Sequence, residues 1–218
     1  MGNNILVILP HPDDEAFGLS GTLAKLIVDG AHVTYACLTL GEMGRNMGIP
    51  PFANRVTLPV IRQAELEESC KAIGIQDLRL LGFHDKTIEF EDQPRLDGVI
   101  GSLLQEIKPT RVYTFYPGYS VHPDHDATGT AVVRTIQQLP LEERPEVHCL
   151  AFSRNCEQEL GSPDVVEDVS MFMVQKMNSI QAHRSQFQAA ELLGEKQMKA
   201  KEVEQRFGTE RFWTYTFA

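Results

Sequence analysis

Unbroken apolar runs alternate with segments of helical spacing along most of the chain. Asn4 to Leu9 (NILVIL) is apolar at successive positions, as expected of a strand covered on both faces. Ala16 to Asp29 carries helical spacing and stops at Gly30, a residue suited to a C-terminal cap. His32 to Leu40, rich in β-branched and aromatic residues, reads as a second strand. Residues 41–59 form a long loop punctuated by glycine and proline, GIPP at 48–51 among them. Loops of that length are usually functional or mobile.

The alternation continues with a helix over Val60 to Ile73, closed by Gly74, and a short strand over Leu78 to Leu81. A helix over Arg95 to Ile107 is stopped by Pro109, and Arg111 to Phe115 forms the next strand. Asp126 to Leu139 is a helix stopped by Pro140, and Val147 to Phe152 is a strand. The tail holds helices at Val174 to Phe187 and Glu195 to Phe207, then a final strand from Arg211 to Phe217. Repeated strand–helix units with apolar strands predict an α/β fold. The expected form is a Rossmann-like, doubly wound, mostly parallel sheet with helices on both faces. The expected organisation is a single domain over 1–218, with its core in 3–155 and a helical C-terminal extension with the final strand in 156–218.

In such sheets, ligands sit at the carboxyl ends of the strands. The first strand ends at His11, the second at Gly41-Glu42 and the third at Gly82-Phe83-His84-Asp85. The fourth ends just before GYSVHPDHD, residues 118–126. The unusual polar clusters therefore converge on one edge. The densest is LPHPDDEAFG at 9–18, with one histidine and three carboxylates in five residues. Carboxylates that close repel one another unless something positive offsets them.

Composition narrows the partners. The net charge of −10 argues against non-specific binding to nucleic acid or to anionic membranes. No apolar stretch is long enough to span a bilayer, and the N-terminus lacks the basic start and long apolar run of a signal peptide. The four cysteines form no CxxC pair, and Cys37, Cys70 and Cys149 lie in apolar surroundings as buried thiols. A reducing, cytoplasmic setting is the expectation.

His122 and His125 open a helix three residues apart and can face one direction. Imidazoles with nearby carboxylates suit zinc or another divalent transition metal at a nitrogen–oxygen site. The two clusters offer His11, Asp13, Asp14, Glu15, His122, Asp124 and His125, more than the three protein ligands that a catalytic zinc takes. Either motif alone could be a capped, solvated helix start. Of the other histidines, His32 is expected at the surface, His148 in the core or at a sheet edge, and His183 in solvent after an amphipathic helix. His84 falls on the active edge.

PHPDDE at 10–15 followed by HPDH at 122–125 resembles the zinc-dependent N-acetylglucosaminide deacetylases, the superfamily of the glycosylphosphatidylinositol, mycothiol and bacillithiol pathways. LTLGEMG, IRQAELEESCKAIG and LGFHD agree with its middle motifs, and the resemblance spans residues 3–155. The resemblance implies one zinc ion held by His11, Asp14 and His125, with Asp13 as general base. It implies that His122 stabilises the oxyanion and that Asp124 orients it. Glu42, Arg62 and Asp85 match positions that contact the sugar. Pro10 stands where the family often has Ala, Leu40 where many relatives have Arg, and the loop over 44–59 is longer than usual. These departures bear on substrate contacts and leave the metal chemistry alone. The long loop and GYSVHPDHDATG look most like the bacillithiol-pathway branch, which implies a small acetylated substrate of the N-acetylglucosaminyl malate type. Two rivals on the same sheet are another metal-dependent amidase and a phosphoesterase. A nucleotide-binding module is disfavoured because the first strand–helix turn has neither G-x-G-x-x-G nor a P-loop. A homo-oligomer is left open.

Overall fold

In a computed structural model of the chain, residues 3–187 and 200–217 are described. The strands are β1 (Asn4–Leu9), β2 (His32–Cys37), β3 (Asp77–Leu80), β4 (Arg111–Phe115), β5 (Glu146–Leu150), β6 (Val165–Asp168) and β7 (Thr209–Thr214). They form one seven-stranded sheet in the order β3-β2-β1-β4-β5-β7-β6. β1 to β5 run parallel, while β7 is antiparallel to both β5 and β6. The expected mostly parallel α/β sheet is therefore present. Its order reverses between β1 and β4, which makes that gap the switch point where a crevice opens. Leu9 lies opposite Cys37, and Cys37 opposite Leu80, so the carboxyl ends of three strands are level.

Alternate residues of each strand feed the two faces. Ile5, Val7 and Leu9 join Val33, Tyr35, Tyr113 and Phe115 in one core, against α2 (Ser20–Val28) and α3 (Leu58–Ile73). Leu6, Ile8, Ala36 and Val112 join the other, against α4 (Gln93–Ile107) and α5 (Pro123–Gln137). Gly129 lets α5 lie directly on the end of β4, because a Cβ there would overlap the Phe115 carbonyl. That close approach brings the first turn of α5 to the switch point.

The expected helix over Ala16 to Asp29 is two helices, α1 (Asp14–Gly18) and α2, broken at Leu19. Tertiary capping explains the break. Glu210 of β7 accepts hydrogen bonds from the Gly21 and Thr22 amides at 3.0 and 2.7 Å, and so satisfies donors that a fresh helix start leaves free. The short α6 (Cys156–Leu160) and the edge strand β6 were not legible as periodic segments. In the tail, α7 (Met173–Ala182) ends five residues before the expected Phe187. The last described helix is α8 (Ala200–Phe207), and residues 195–199 of the expected helix lie outside the described residues. No described helix is long and apolar enough to cross a membrane.

His183 corrects an expectation. It is fully buried, not solvated. The chain folds under α1 after α7, and the imidazole Nε2 lies 2.7 Å from the carboxylate of Glu15, itself fully buried. His148 is buried in β5 and His32 is exposed, as expected. Cys37, Cys70 and Cys149 are buried free thiols, and so is Cys156.

Lys176 of α7 and Glu210 form a buried ion pair, and the ammonium also donates to the Phe17 carbonyl at 3.1 Å. Removing only the cation leaves a buried carboxylate without its partner. Lys176→Met is expected to lower stability by about 3–5 kcal/mol. Urea denaturation of the purified variant measures it, and a loss below about 1 kcal/mol would mean that water or rearrangement replaces the lysine.

Candidate active site

The site is built from four strand-end segments, those after β1, β2, β3 and β4. Pro10 is held by Thr39, whose amide and hydroxyl both donate to its carbonyl, at 2.9 and 2.8 Å. His11 follows, and the chain then turns sharply into α1. Asp13 sits at the turn with φ +112°, a conformation that residues with a Cβ rarely adopt. On the far side of the crevice, Asp126 accepts from the Gly118 and Ser120 amides at 2.9 and 3.1 Å and shapes the approach to α5. His122 caps that helix and His125 lies in its first turn.

His11 Nδ1 lies 3.2 Å from His125 Nε2, and the Asp14 carboxylate is 3.1 Å from His125 and 3.5 Å from His11. The opposite ring nitrogens are already engaged. His125 Nδ1 donates to the Ser120 carbonyl at 3.2 Å. His11 Nε2 faces Asp124 and Asp85, each at 3.1 Å. Those partners fix the tautomers, so two imidazole lone pairs and a carboxylate point at one another. Such an arrangement needs a cation. Tetrahedral zinc with bonds of about 2.0–2.1 Å spaces its ligand atoms about 3.3 Å apart, close to the separation of the two imidazole nitrogens, and Asp14 offers Oδ1 toward His125 and Oδ2 toward His11. The donor set fits a divalent metal.

The electrostatics agree. Burial opposes ionisation of Asp14, but His125 and His11 outweigh it and hold the carboxyl well below the usual range. Burial also opposes a charge on His11, and Asp124, Asp14 and Asp85 outweigh it and raise its affinity for a proton. Asp13 is pushed up to about 6 by burial, against the pull of Arg62. His122 moves the other way: burial, then the neighbouring imidazoles, keep it neutral. Its Nδ1 accepts the Asp124 amide at 3.2 Å, which leaves an N–H at Nε2.

Of the expected catalytic groups, Asp13 and His122 flank the donor cluster, with the His11 and His122 ring centroids 4.9 Å apart. Asp124 differs from expectation. Its carboxylate does not reach His122. It accepts from the Lys86 and Ile88 amides at 2.6 and 3.2 Å and turns toward His11 instead. A carboxylate behind a ligand histidine fixes ring and tautomer.

The expected substrate contacts also shift. Arg62 is buried, and its two Nη atoms donate to Asp13 at 2.9 Å, the Gly41 carbonyl at 3.0 Å and the Pro12 carbonyl, while its Nε has no partner among the described residues. These contacts support the protein's own turn. Gly41 has to be glycine here, since φ is +64° and a Cβ would overlap the guanidinium. Asp85 is buried between His11 and the Met43 amide, which it accepts at 2.8 Å. Glu42 is half-buried, and one of its oxygens accepts the Asp85 amide at 3.1 Å. His84, in the turn beside Asp85, is exposed.

The loop over 44–59 is tied down at its base. Arg55 donates to the Glu42 and Gly44 carbonyls, Asn46 and Gln186 exchange hydrogen bonds at 2.8 and 3.1 Å, and the Gly48 amide donates to Ser185 at 2.9 Å. Met43, Ile49 and Phe52 remain exposed at the rim.

The partners of Glu15 escaped the sequence. Ser69 of α3, Tyr35 of β2 and His183 all donate to it. The single clue is Glu15 itself, a carboxylate in the turn that must find donors if it is buried.

A model of the GlcNAc-PI de-N-acetylase family, PIG-L, matches residues 6–136. The chain is 49% identical over 219 residues to a probable N-acetyl-alpha-D-glucosaminyl L-malate deacetylase 2 of Bacillus cereus, covering 99% of each. In structure it is similar to the N,N'-diacetylchitobiose deacetylase of Pyrococcus horikoshii, with a TM-score of 0.75 at 24% identity over 98% of this chain and 84% of that one. A 4-carboxy-2-hydroxymuconate hydratase of Pseudomonas putida reaches the same TM-score at 17% identity over 100% and 98% of the two chains, so the fold alone does not fix the chemistry.

The role of Asp124 behind His11 has a measurable consequence. Asp124→Asn is expected to weaken zinc binding about 10–100-fold while the chain stays folded. A competition titration with a zinc chelator reads it, and wild-type affinity would detach Asp124 from the metal site.

Proposed function

The chain belongs to the GlcNAc-PI de-N-acetylase family, and from that premise we propose that it is a zinc-dependent N-deacetylase acting on a small acetylated glucosaminide. The substrate we assign is N-acetylglucosaminyl malate, and the setting is bacillithiol biosynthesis in the cytoplasm. The near-full-length similarity to a relative named for that substrate supports the assignment. The observation that carries the reading is the facing pair of imidazole lone pairs, His11 and His125, with Asp14 closing the third side.

His11, Asp14 and His125 would hold the metal. When bound, it supplies positive charge that lowers the pKa of a water towards ~7 and polarises an acetamide carbonyl. The chain's own residues do the rest. Asp13 is anchored through one oxygen by Arg62, which leaves the other to take a proton from the attacking water. The water oxygen adds to the carbonyl carbon. The carbonyl oxygen then carries negative charge, and the neutral His122 donates its Nε2 proton in a hydrogen bond to it. The C–N bond breaks, and the protonated Asp13 passes its proton to the leaving amine. Acetate and a free amino sugar result. Glu42, half-buried at the rim, is the carboxylate with an oxygen left over for a sugar hydroxyl.

A phosphoesterase reading fares worse. Asp124 and Asp85 already pair with His11 Nε2 and accept main-chain amides, so to bridge a second metal they would have to give up the contacts that orient His11.

Three measurements test the assignment. Chelator treatment is expected to abolish release of acetate from N-acetylglucosaminyl malate, and zinc to restore it. His125→Ala is expected to lose the metal. Asp13→Ala is expected to keep it and to lose turnover by at least ~10²-fold. Full activity in metal-free protein would overturn the reading, and a metal-free Asp13→Ala would exchange the roles of ligand and base.

A further inference from the structure

The general base stands in an unfavourable backbone conformation, and something has to hold it there. Asp13 has φ +112° and ψ −23°. Without a glycine's freedom, that geometry persists only where its surroundings impose it. Two restraints are present. Arg62 grips the Asp13 carboxylate and the carbonyl before it. The second works on the amide: the Asp13 N–H donates to Glu15 Oε2 at 3.0 Å.

Glu15 can serve as that acceptor only if its carboxyl group stays at a fixed place inside the protein. Its carboxylate is fully buried. Three side chains donate to it. Ser69 lies 2.5 Å from Oε1, Tyr35 lies 3.3 Å from Oε2, and His183 Nε2 lies 2.7 Å from Oε1. Of the three, His183 makes the short nitrogen contact and is as deeply buried as Glu15, and its other ring nitrogen, Nδ1, has no partner among the described residues. It lies outside residues 6–136, where the family model matches.

From this geometry we propose that His183 is a positioning residue for catalysis: by fixing Glu15 it holds the Asp13 amide, and with it the base, in register with the metal site. The inference rests on Asp13 being the base. His183 touches neither the metal ligands nor the space in front of them. Its loss is therefore expected to affect proton transfer without emptying the site. With its amide released, Asp13 is held in its unfavourable turn by Arg62 alone, and misplacing a reacting group by about 1 Å costs on the order of 10²-fold in rate.

The test uses the full-length, zinc-loaded protein with N-acetylglucosaminyl malate, well below each variant's Tm. His183→Ala is expected to reduce kcat about 10–100-fold, with KM and zinc per chain unchanged. His183→Gln, which keeps an N–H donor within reach of Glu15, is expected to recover most of that loss. Lys176→Met supplies the comparison, because it loosens the same helix through Glu210 and not through Glu15. It should lose stability and keep kcat. The proposal is overturned if His183→Ala turns over at the wild-type rate, if His183→Gln is no better than His183→Ala, or if Lys176→Met lowers kcat equally. Asp13→Ala separates the two claims. If that variant still turns over, the assignment of the base fails first. If it is inactive while His183→Ala is not, only the positioning role fails.

Discussion

Five carboxylates crowd the carboxyl edge of this sheet, and the architecture around them is a solution to their mutual repulsion. Each is matched separately. Glu15 takes a histidine, two hydroxyls and an amide. Asp13 takes a guanidinium, Asp85 an amide and an imidazole, and Asp124 two amides and the same imidazole. Once these are counted, one need is left over: Asp14 and the inward lone pairs of His11 and His125. A carboxylate and two lone pairs in van der Waals reach form a cation site by default. The excess negative charge is thus routed to a single place, and the neighbouring carboxylates hold the ligand His11 in orientation.

The same constraint explains the helices behind the site. The buried stripe of α3 carries Arg62, Glu65 and Ser69 beside Leu58, Leu66 and Ile73. A stripe so polar would be poor at holding a helix on a sheet through apolar burial. It is kept because each polar member has a partner of opposite character: Arg62 on Asp13, Ser69 on Glu15, and Glu65 on the amide and hydroxyl of Ser185. The turn over 183–187 therefore joins α3, Glu15 and the foot of the rim loop.

What could be read from the sequence follows the range of the interactions that decide each feature. The five parallel strands were legible because a strand covered on both faces is written in its own residues, as in Asn4 to Leu9. The HPDDE and HPDH clusters were legible as candidate metal donors because the donors are contiguous in each half, and the fold brings the two halves together. The break at Leu19 was not, since the cap that permits it comes from Glu210, far along the chain. The protein partners of Asp124 and Arg62 were not legible for a related reason. Their types announce a charge in the site, but which group each one grips depends on angles between β1, α3 and α5 that no local pattern encodes. His183 gave no sign at all, because its surroundings in sequence are ordinary and its partner is Glu15.

The order in which these residues occur along the chain has a consequence for synthesis. His11, Asp14 and His125 all precede the fifth strand, whereas the imidazole that bonds Glu15 comes in the last quarter of the polypeptide. The order of synthesis is therefore proposed ligands first and proposed positioning residue last, so the turn that carries Asp13 cannot be fixed through Glu15 until α7 and the residues that follow it have been made.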